Sequence, residues 1–332
     1  MKSRSPQYRF DAQNPMVVGG QAVIEGVMMR APGMIATAVR RPDGTIAVRK
    51  DAYATLGERW RAFKLPVLRG AAGLIEMLIV GLRSLNYSAE MALASAGPDE
   101  TSPGQAGKRH SDDLKLALTL AVALAAALAI FFVTPLLITT LWFDVSQQPL
   151  AFNLIAGGIR LALFLAYLMA IAMMRDVKRL FEYHGAEHKA VFAFENGDEL
   201  SPDGVMGYTR FHPRCGTSFL LVVMVVAILL FGLVDTGLIL WLGRLSLPVR
   251  IAVHLPLIPL LGGVSYEFIR VSARHADTAI GKLVVAPGLW LQRITTREPD
   301  RPEMEVAVAA LRAALGRDQE VDTSYERQAA AL

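Results

Sequence analysis

Residues 116–143 read LALTLAVALAAALAIFFVTPLLITTLWF, with no charged side chain anywhere in the stretch. As a helix, these 28 residues rise about 42 Å, more than the roughly 30 Å hydrocarbon core of a bilayer requires. Pro135 predicts a kink in the outer third, because its ring displaces the carbonyl one turn back. Three further apolar stretches follow. One runs from about Leu150 to Met174 with Arg160 inside it, and one from Ser218 to Leu242 with Asp235 inside it. The last runs from about Val249 to Arg270 and holds His254, Pro256 and Pro259. The expectation is a mainly α, polytopic membrane protein: a four-helix transmembrane bundle with an α+β cytoplasmic cap that contains a β-hairpin.

Composition agrees. Apolar residues make up 53% of the 332-residue chain, mean hydropathy is +0.37, and the apolar residues lie in blocks. Net charge is a modest +4. The single cysteine, Cys215, excludes an intrachain disulfide. Met1 to Pro15 is polar and lacks the apolar core of a signal peptide, so an internal span is expected to direct insertion. Loop charges set the expected orientation. Residues 144–149 carry no Lys or Arg, whereas 175–217 carries Arg175, Lys178, Arg179, Lys189, Arg210 and Arg214. The positive-inside rule then makes both termini and the central loop cytoplasmic in a multi-pass plasma (inner) membrane protein, with Arg244 a small exception.

The expected organisation has four parts. Residues 1–96 form a cytoplasmic N-terminal region, 97–113 a linker, 114–271 the four-span membrane domain with the segment 175–217, and 272–332 a cytoplasmic tail. In the first part, Ile35–Val39 and Thr45–Arg49 flank Asp43-Gly44 and predict a hairpin. From Pro66 to about Leu93 the charges Arg69, Glu76, Arg83 and Glu90 recur every seven residues, one polar stripe on an apolar helix. A helix lying in the membrane interface, or packed under the bundle, fits that stripe better than a spanning one. In the tail, Asp300 can cap a helix with Pro302 and Glu303 in its first turn and Val306, Ala310, Leu311, Ala314 and Leu315 on its apolar face. Arg160, Asp235 and His254 are costly in lipid and should turn inward. Their depths suggest an Arg160–Asp235 ion pair with His254 nearby, serving as a clasp or as an ion path.

Chemistry concentrates in His184-Gly185-Ala186-Glu187-His188 and His212-Pro213-Arg214-Cys215-Gly216. If the second span continues as one helix to Asn196-Gly197, His184 and His188 fall one turn apart on one face and can share a metal. The order His-x-x-Glu-His is the inverted zinc-peptidase pattern, in which the glutamate is general base on metal-bound water. His212 is the first choice of third ligand. Cys215, Glu25, Glu195 and Glu267 are the alternatives, and Arg214 could orient an anionic group. The competing reading is a metal-free polar core. Val18 to Gly26 lacks a nucleotide-binding fingerprint, and its glycines read as a tight turn carrying Glu25. The basic segments lack interleaved aromatics, so they fit anionic lipid headgroups rather than nucleic acid.

Several segments together resemble the YqhQ-like family: Gly19 to Arg30, Tyr183 to Lys189, His212 to Phe219, Pro287 to Gln292, and Thr295 to Pro299. The resemblance covers about residues 15 to 316. It implies a bacterial inner-membrane protein of a family of unknown function described as a predicted metal-dependent enzyme, and it supplies no substrate. The expected activity is a metal-dependent hydrolase, peptidase chemistry included, at the cytoplasmic membrane interface. Its divalent metal, expected to be zinc, would be held by His184, His188 and His212, with Glu187 as base. The alternatives are a non-enzymatic membrane factor that binds a translocation or assembly partner, and a small transporter built on Arg160, Asp235 and His254.

Overall fold

A computed structural model describes residues 18–93, 118–119, 121–144, 148–243, 245–274 and 278–317. The expected linker 97–113, the polar N-terminus and Arg244 lie outside the described residues. The strands are β1 (Gly19–Val23), β2 (Gly26–Ala31), β3 (Met34–Arg40) and β4 (Ile46–Ala52). The helices are α1 (Leu56–Arg59), α2 (Leu68–Leu93), α3 (Ala121–Thr140), α4 (Pro149–Ile171), α5 (Arg175–Glu195) and α6 (Pro202–Met206). They continue with α7 (Gly216–Leu242), α8 (Leu247–His254), α9 (Ile258–Arg274), α10 (Ala279–Thr295) and α11 (Arg301–Ala314). Among the described residues, four helical stretches are long and apolar enough to cross a membrane: α3, α4, α7, and Pro248–Ser272, which joins α8 to α9 through a 3-10 turn. Helix α2 is not among them.

The chain divides into two compact units. One comprises Met1–Gly97, Ala170–Leu221 and Gly262–Leu332, the other Pro98–Met169 and Val222–Leu261. The described N-terminal, central and C-terminal segments therefore group together, a coarser partition than the four sequence parts.

The first unit is built on an antiparallel meander in the order β1-β2-β3-β4. The expected hairpin is its β3–β4 pair, with Gly44 at φ +85° in the turn. The glycine-bearing segment read as a turn is instead mostly strand β1, paired from Gly19↔Arg30 to Val23↔Gly26. The turn itself is only Ile24-Glu25, and Glu25 takes φ +51° there. Period-two alternation sorts the side chains. Val23, Met28, Ile35 and Val39 pack with Tyr87 and Met91 of α2. Val27, Met29, Ala36 and Ala38 pack with Tyr183, Ala186 and Ala190 of α5 and with Met304, Val306 and Leu311 of α11. The sheet is thus covered by α2 on one face and by α5 and α11 on the other. Glu303 accepts the Asp300 N–H at 3.0 Å and fixes the start of α11, as its sequence predicts.

Helices α4 and α5 are not continuous. The helix stops at Ile171, and Met174 at ψ 140° begins a new one at Arg175. At the far end, α5 closes at Asn196, followed by Gly197 at φ +72°.

In the second unit the expected Arg160–Asp235 pair does not form. Asp235 instead accepts from Arg250, from His254 Nε2 at 2.8 Å and from Asn153 at 2.8 Å, all four side chains being buried. Arg160 Nε donates to the carbonyl of Phe131 at 2.8 Å. The reason lies in α3: Pro135 has no N–H to offer the carbonyl four residues before it, and the helix widens into a π turn over Ala129–Val133. Arg160 meets that carbonyl and lies over the Phe132 ring, 5.4 Å from its centroid. Around these groups Phe132, Leu136, Phe152, Ala227 and Phe231 form the apolar core.

Candidate metal centre

Helix α5 carries the site because its i, i+4 spacing brings His184 and His188 together edge to face, with ring centroids 4.4 Å apart. Each imidazole is anchored through Nδ1 to a backbone carbonyl: His184 to Thr295 at 2.8 Å and His188 to Arg210 at 2.5 Å. A carbonyl can only accept, so both Nδ1 atoms carry a proton; the Nε2 of His188 is left as a lone-pair donor, and that of His184 becomes one once the imidazole gives up its second proton. The His188 Nε2 is buried and has no hydrogen-bond partner among the described residues.

Cys215 completes the convergence. Its sulfur lies 3.2 Å from His184 Nε2, and the ligand atoms of His184, His188 and Cys215 all fall within 4.8 Å of one another. The sulfur also meets the Thr217 hydroxyl at 3.1 Å and the Thr217 N–H at 3.4 Å, at the N-terminus of α7. Donors and a helix N-terminus both favour thiolate. Burial works against charge on the cysteine, yet the flanking histidines hold its pKa well below the ordinary thiol value. Burial likewise opposes charge on His184, and the Cys215 sulfur overrides it, lifting that imidazole to about 9.

Glu187 sits between the two histidines. One oxygen accepts the Gly20 N–H at 3.0 Å, and the other lies 3.7 Å from His188 Nε2 and 3.9 Å from His184 Nε2. Strand β1 reaches that close because position 20 has no side chain: a Cβ there would stand 2.3 Å from the Met28 carbonyl. Gly185 plays the same part on the other side of α5, where a Cβ would lie 2.0 Å from the Arg297 carbonyl. That contact brings the chain carrying Thr295 across α5, with the Arg297 N–H bonded to the Phe181 carbonyl at 2.8 Å.

The other candidates are placed elsewhere. His212 lies next to the trio, its ring centroid 5.6 Å from that of His188, but it is not among the three clustered ligands. Its Nδ1 accepts the Arg214 N–H at 3.3 Å and its Nε2 faces Glu195 at 3.4 Å, so both nitrogens are engaged. Burial, then the neighbouring His188, pushes its pKa down to about 3 and keeps the ring neutral. Glu195 pairs with Arg214 as well. Glu25 pairs with Arg179 and accepts from the Tyr183 hydroxyl at 3.3 Å, one turn from His184 rather than in the site. Glu267 pairs with Arg69.

Residues that sequence reasoning passed over hold this geometry. Gln292 is fully buried. Its amide accepts the His212 N–H at 2.7 Å and donates to the His212 carbonyl at 2.7 Å and to Ser218 at 3.1 Å. It thereby fixes the loop that delivers Cys215. Arg210, whose carbonyl anchors His188, is itself tied to Thr296 through both its carbonyl and its hydroxyl, the latter at 2.9 Å. A polar Gln inside the otherwise apolar Gly288-Leu289-Trp290-Leu291 run was the available signal for the first of these. In front of the trio lies a cavity of about 390 Å³, lined by Gly20, Phe181, His184, Glu187, Cys215 and Leu220 among others.

The chain belongs to the family described as "Protein of unknown function (DUF1385)", whose profile matches residues 65–317. It is also similar to "Uncharacterized protein YqhQ" of Bacillus subtilis (strain 168), 34% identical over 298 residues that cover 89% of this chain and 91% of that one. No solved structure matches.

Proposed function

We propose that this protein is a metal-dependent hydrolase working at a membrane surface, with His184, His188 and Cys215 as metal ligands and Glu187 as general base. The observation that carries this reading is the convergence of two carbonyl-anchored imidazoles and a thiolate, with a buried His188 Nε2 that has no hydrogen-bond partner among the described residues. A buried acceptor without a donor is unfavourable, and a cation resolves it. Mixed imidazole and thiolate donors suit zinc. A metal held by these three residues would supply a bound water of lowered pKa. Glu187 is fixed by Gly20 through one oxygen and has the other 3.7 Å from His188 Nε2, so it would be the residue to take and return that proton. The inverted His-x-x-Glu-His order is that of zinc peptidases, so amide hydrolysis is the reaction to try first.

The test is metal analysis of full-length protein purified in detergent after metal-replete growth. One zinc per chain is expected in the wild type and in Glu187→Gln, with loss in His188→Ala and Cys215→Ala. A wild type without stoichiometric metal overturns the reading. Glu187→Gln that holds metal yet supports full cellular function returns the balance to a non-enzymatic membrane factor.

The 3.2 Å contact of Cys215 with His184 supports a second reading, a cysteine nucleophile activated by an imidazole. It predicts activity that survives chelation and is abolished by thiol alkylation. The proposed orientation keeps both termini and the site cytoplasmic, supported by the cationic residues of the 175–217 segment.

A further inference from the structure

Helix α2 has two apolar faces, and the sheet covers only one. Met77, Val80, Tyr87 and Met91 pack on the strands. On the opposite side Ile75, Leu78 and Ile79 are 53%, 64% and 46% exposed, and Leu68 and Leu85 extend the stripe along the helix. The start of α2 is tied to α9 inside the candidate span Pro248–Ser272: Gly70 packs on Tyr266 and Gly263, Leu74 on Gly262, and Arg69 pairs with Glu267. The direction in which α2 leaves that junction is set by Val67, held at φ +67°, where a β-branched residue is rare, while its N–H donates to Glu267 at 3.3 Å. Just before it, Trp60 is 65% exposed among exposed Arg59, Arg61 and Lys64.

From these features we infer that the outward face of α2, with Trp60 and its cationic neighbours, lies in the headgroup region of an anionic bilayer and seats the catalytic unit on the membrane. A leucine-isoleucine stripe on a helix that starts beside a spanning segment is at the depth where its cover is lipid. Tryptophan and cations at the same end are the side chains that favour the lipid–water boundary, and anionic headgroups complement Arg59, Arg61 and Lys64. The inference rests on reading the four apolar helices as membrane-spanning.

Spin labels test it. Full-length protein bearing Ile75→Cys, Leu78→Cys or Ile79→Cys is labelled and reconstituted in phosphatidylcholine vesicles containing phosphatidylglycerol. Wild-type protein labelled in parallel gives the Cys215 background. Asp203→Cys, 73% exposed at the side chain, serves as the aqueous reference, and Leu229→Cys on α7, 57% exposed, as the lipid reference. The expected result is that all three α2 labels collide with oxygen more than with a water-soluble nickel chelate, the reverse of Asp203→Cys. Nickel access at α2 equal to that at Asp203→Cys overturns the inference. So does closure to both reagents, with dipolar broadening if a second copy covers the face. Nickel access at Leu229→Cys would overturn the membrane reading itself, separately from the placement of α2.

Discussion

Two buried polar clusters, one in each unit, use similar residues to opposite ends. In the second unit the charge of Asp235 is matched: one carboxylate faces Arg250, His254 and Asn153, and the Arg250 guanidinium lies over the Phe152 ring, 4.3 Å from its centroid, although Arg250 Nε and Nη1 and His254 Nδ1 have no hydrogen-bond partner among the described residues. In the first unit the groups converge without matching. The His188 Nε2, the Cys215 thiolate and one Glu187 oxygen turn electron pairs to one place, and against the two anionic groups stands the protonated His184. A cluster whose charges close among themselves clasps helices, whereas one left with an excess of negative charge and an unpartnered imidazole nitrogen suits a cation. That contrast supports the proposed metal site beyond what the five-residue motif does.

The comparison breaks most visibly if Glu187 proves dispensable. Glu187→Gln is expected to lower hydrolytic turnover by about 10²–10⁴-fold with metal content unchanged, the range for loss of a general base. Turnover of model amide substrates by matched, metal-loaded samples checks it. Next in size, Asp235→Asn leaves Arg250 charged and uncompensated in an apolar core, at a cost of about 3–5 kcal/mol. Thermal unfolding in detergent should show this, and Asp235→Asn with Arg250→Met should recover much of it. If metal content falls in Asp235→Asn while the fold persists, the division into clasp and site is wrong.

A smaller loss follows at Gln292. Gln292→Leu strands the buried His212 N–H and carbonyl, costing about 1–3 kcal/mol each before relaxation. It should also weaken metal retention under chelator challenge, because the loop carrying Cys215 loosens. The smallest effect sharpens the electrostatics. In metal-free protein the folded state holds His184 protonated and Cys215 ionised. From pH 6.5 up to about 9 the unfolded chain instead holds a neutral imidazole and a thiol, the same proton count. The pair's contribution to stability is therefore flat across that window. It falls below pH 6.5, where the unfolded imidazole takes up a proton that the folded pair does not, and it stays flat near pH 9, where the unfolded thiol and the folded His184 lose their protons together. The difference in unfolding midpoint between wild type and Cys215→Ala, followed against pH, should show this plateau.

Much of the fold was legible because it rests on local periodicity. The four apolar helices, the β3–β4 hairpin, the Asp300 cap and the approach of His184 to His188 all follow from spacing along the chain. Strand β1 was not legible, since its two glycines suit a turn as well as an edge that must approach Glu187. The choice between His212 and Cys215 was not legible either. They are three residues apart, and which one faces the trio is decided by long-range bonds from Gln292 and Glu195. Asp235 was assigned the wrong partner because Arg250 stands at the start of the last apolar stretch, where a charge reads as a flank.

The proline in α3 has a consequence for biogenesis. An arginine near the centre of a lone apolar segment raises its insertion cost by about 2.5–3.5 kcal/mol. Arg160 meets the Phe131 carbonyl, four residues before that proline, on the helix made just before its own. On the proposed reading of α3 and α4 as membrane spans, the translocation machinery would release them into lipid more readily as a hairpin than one at a time, and Pro135 would help decide when the second helix leaves.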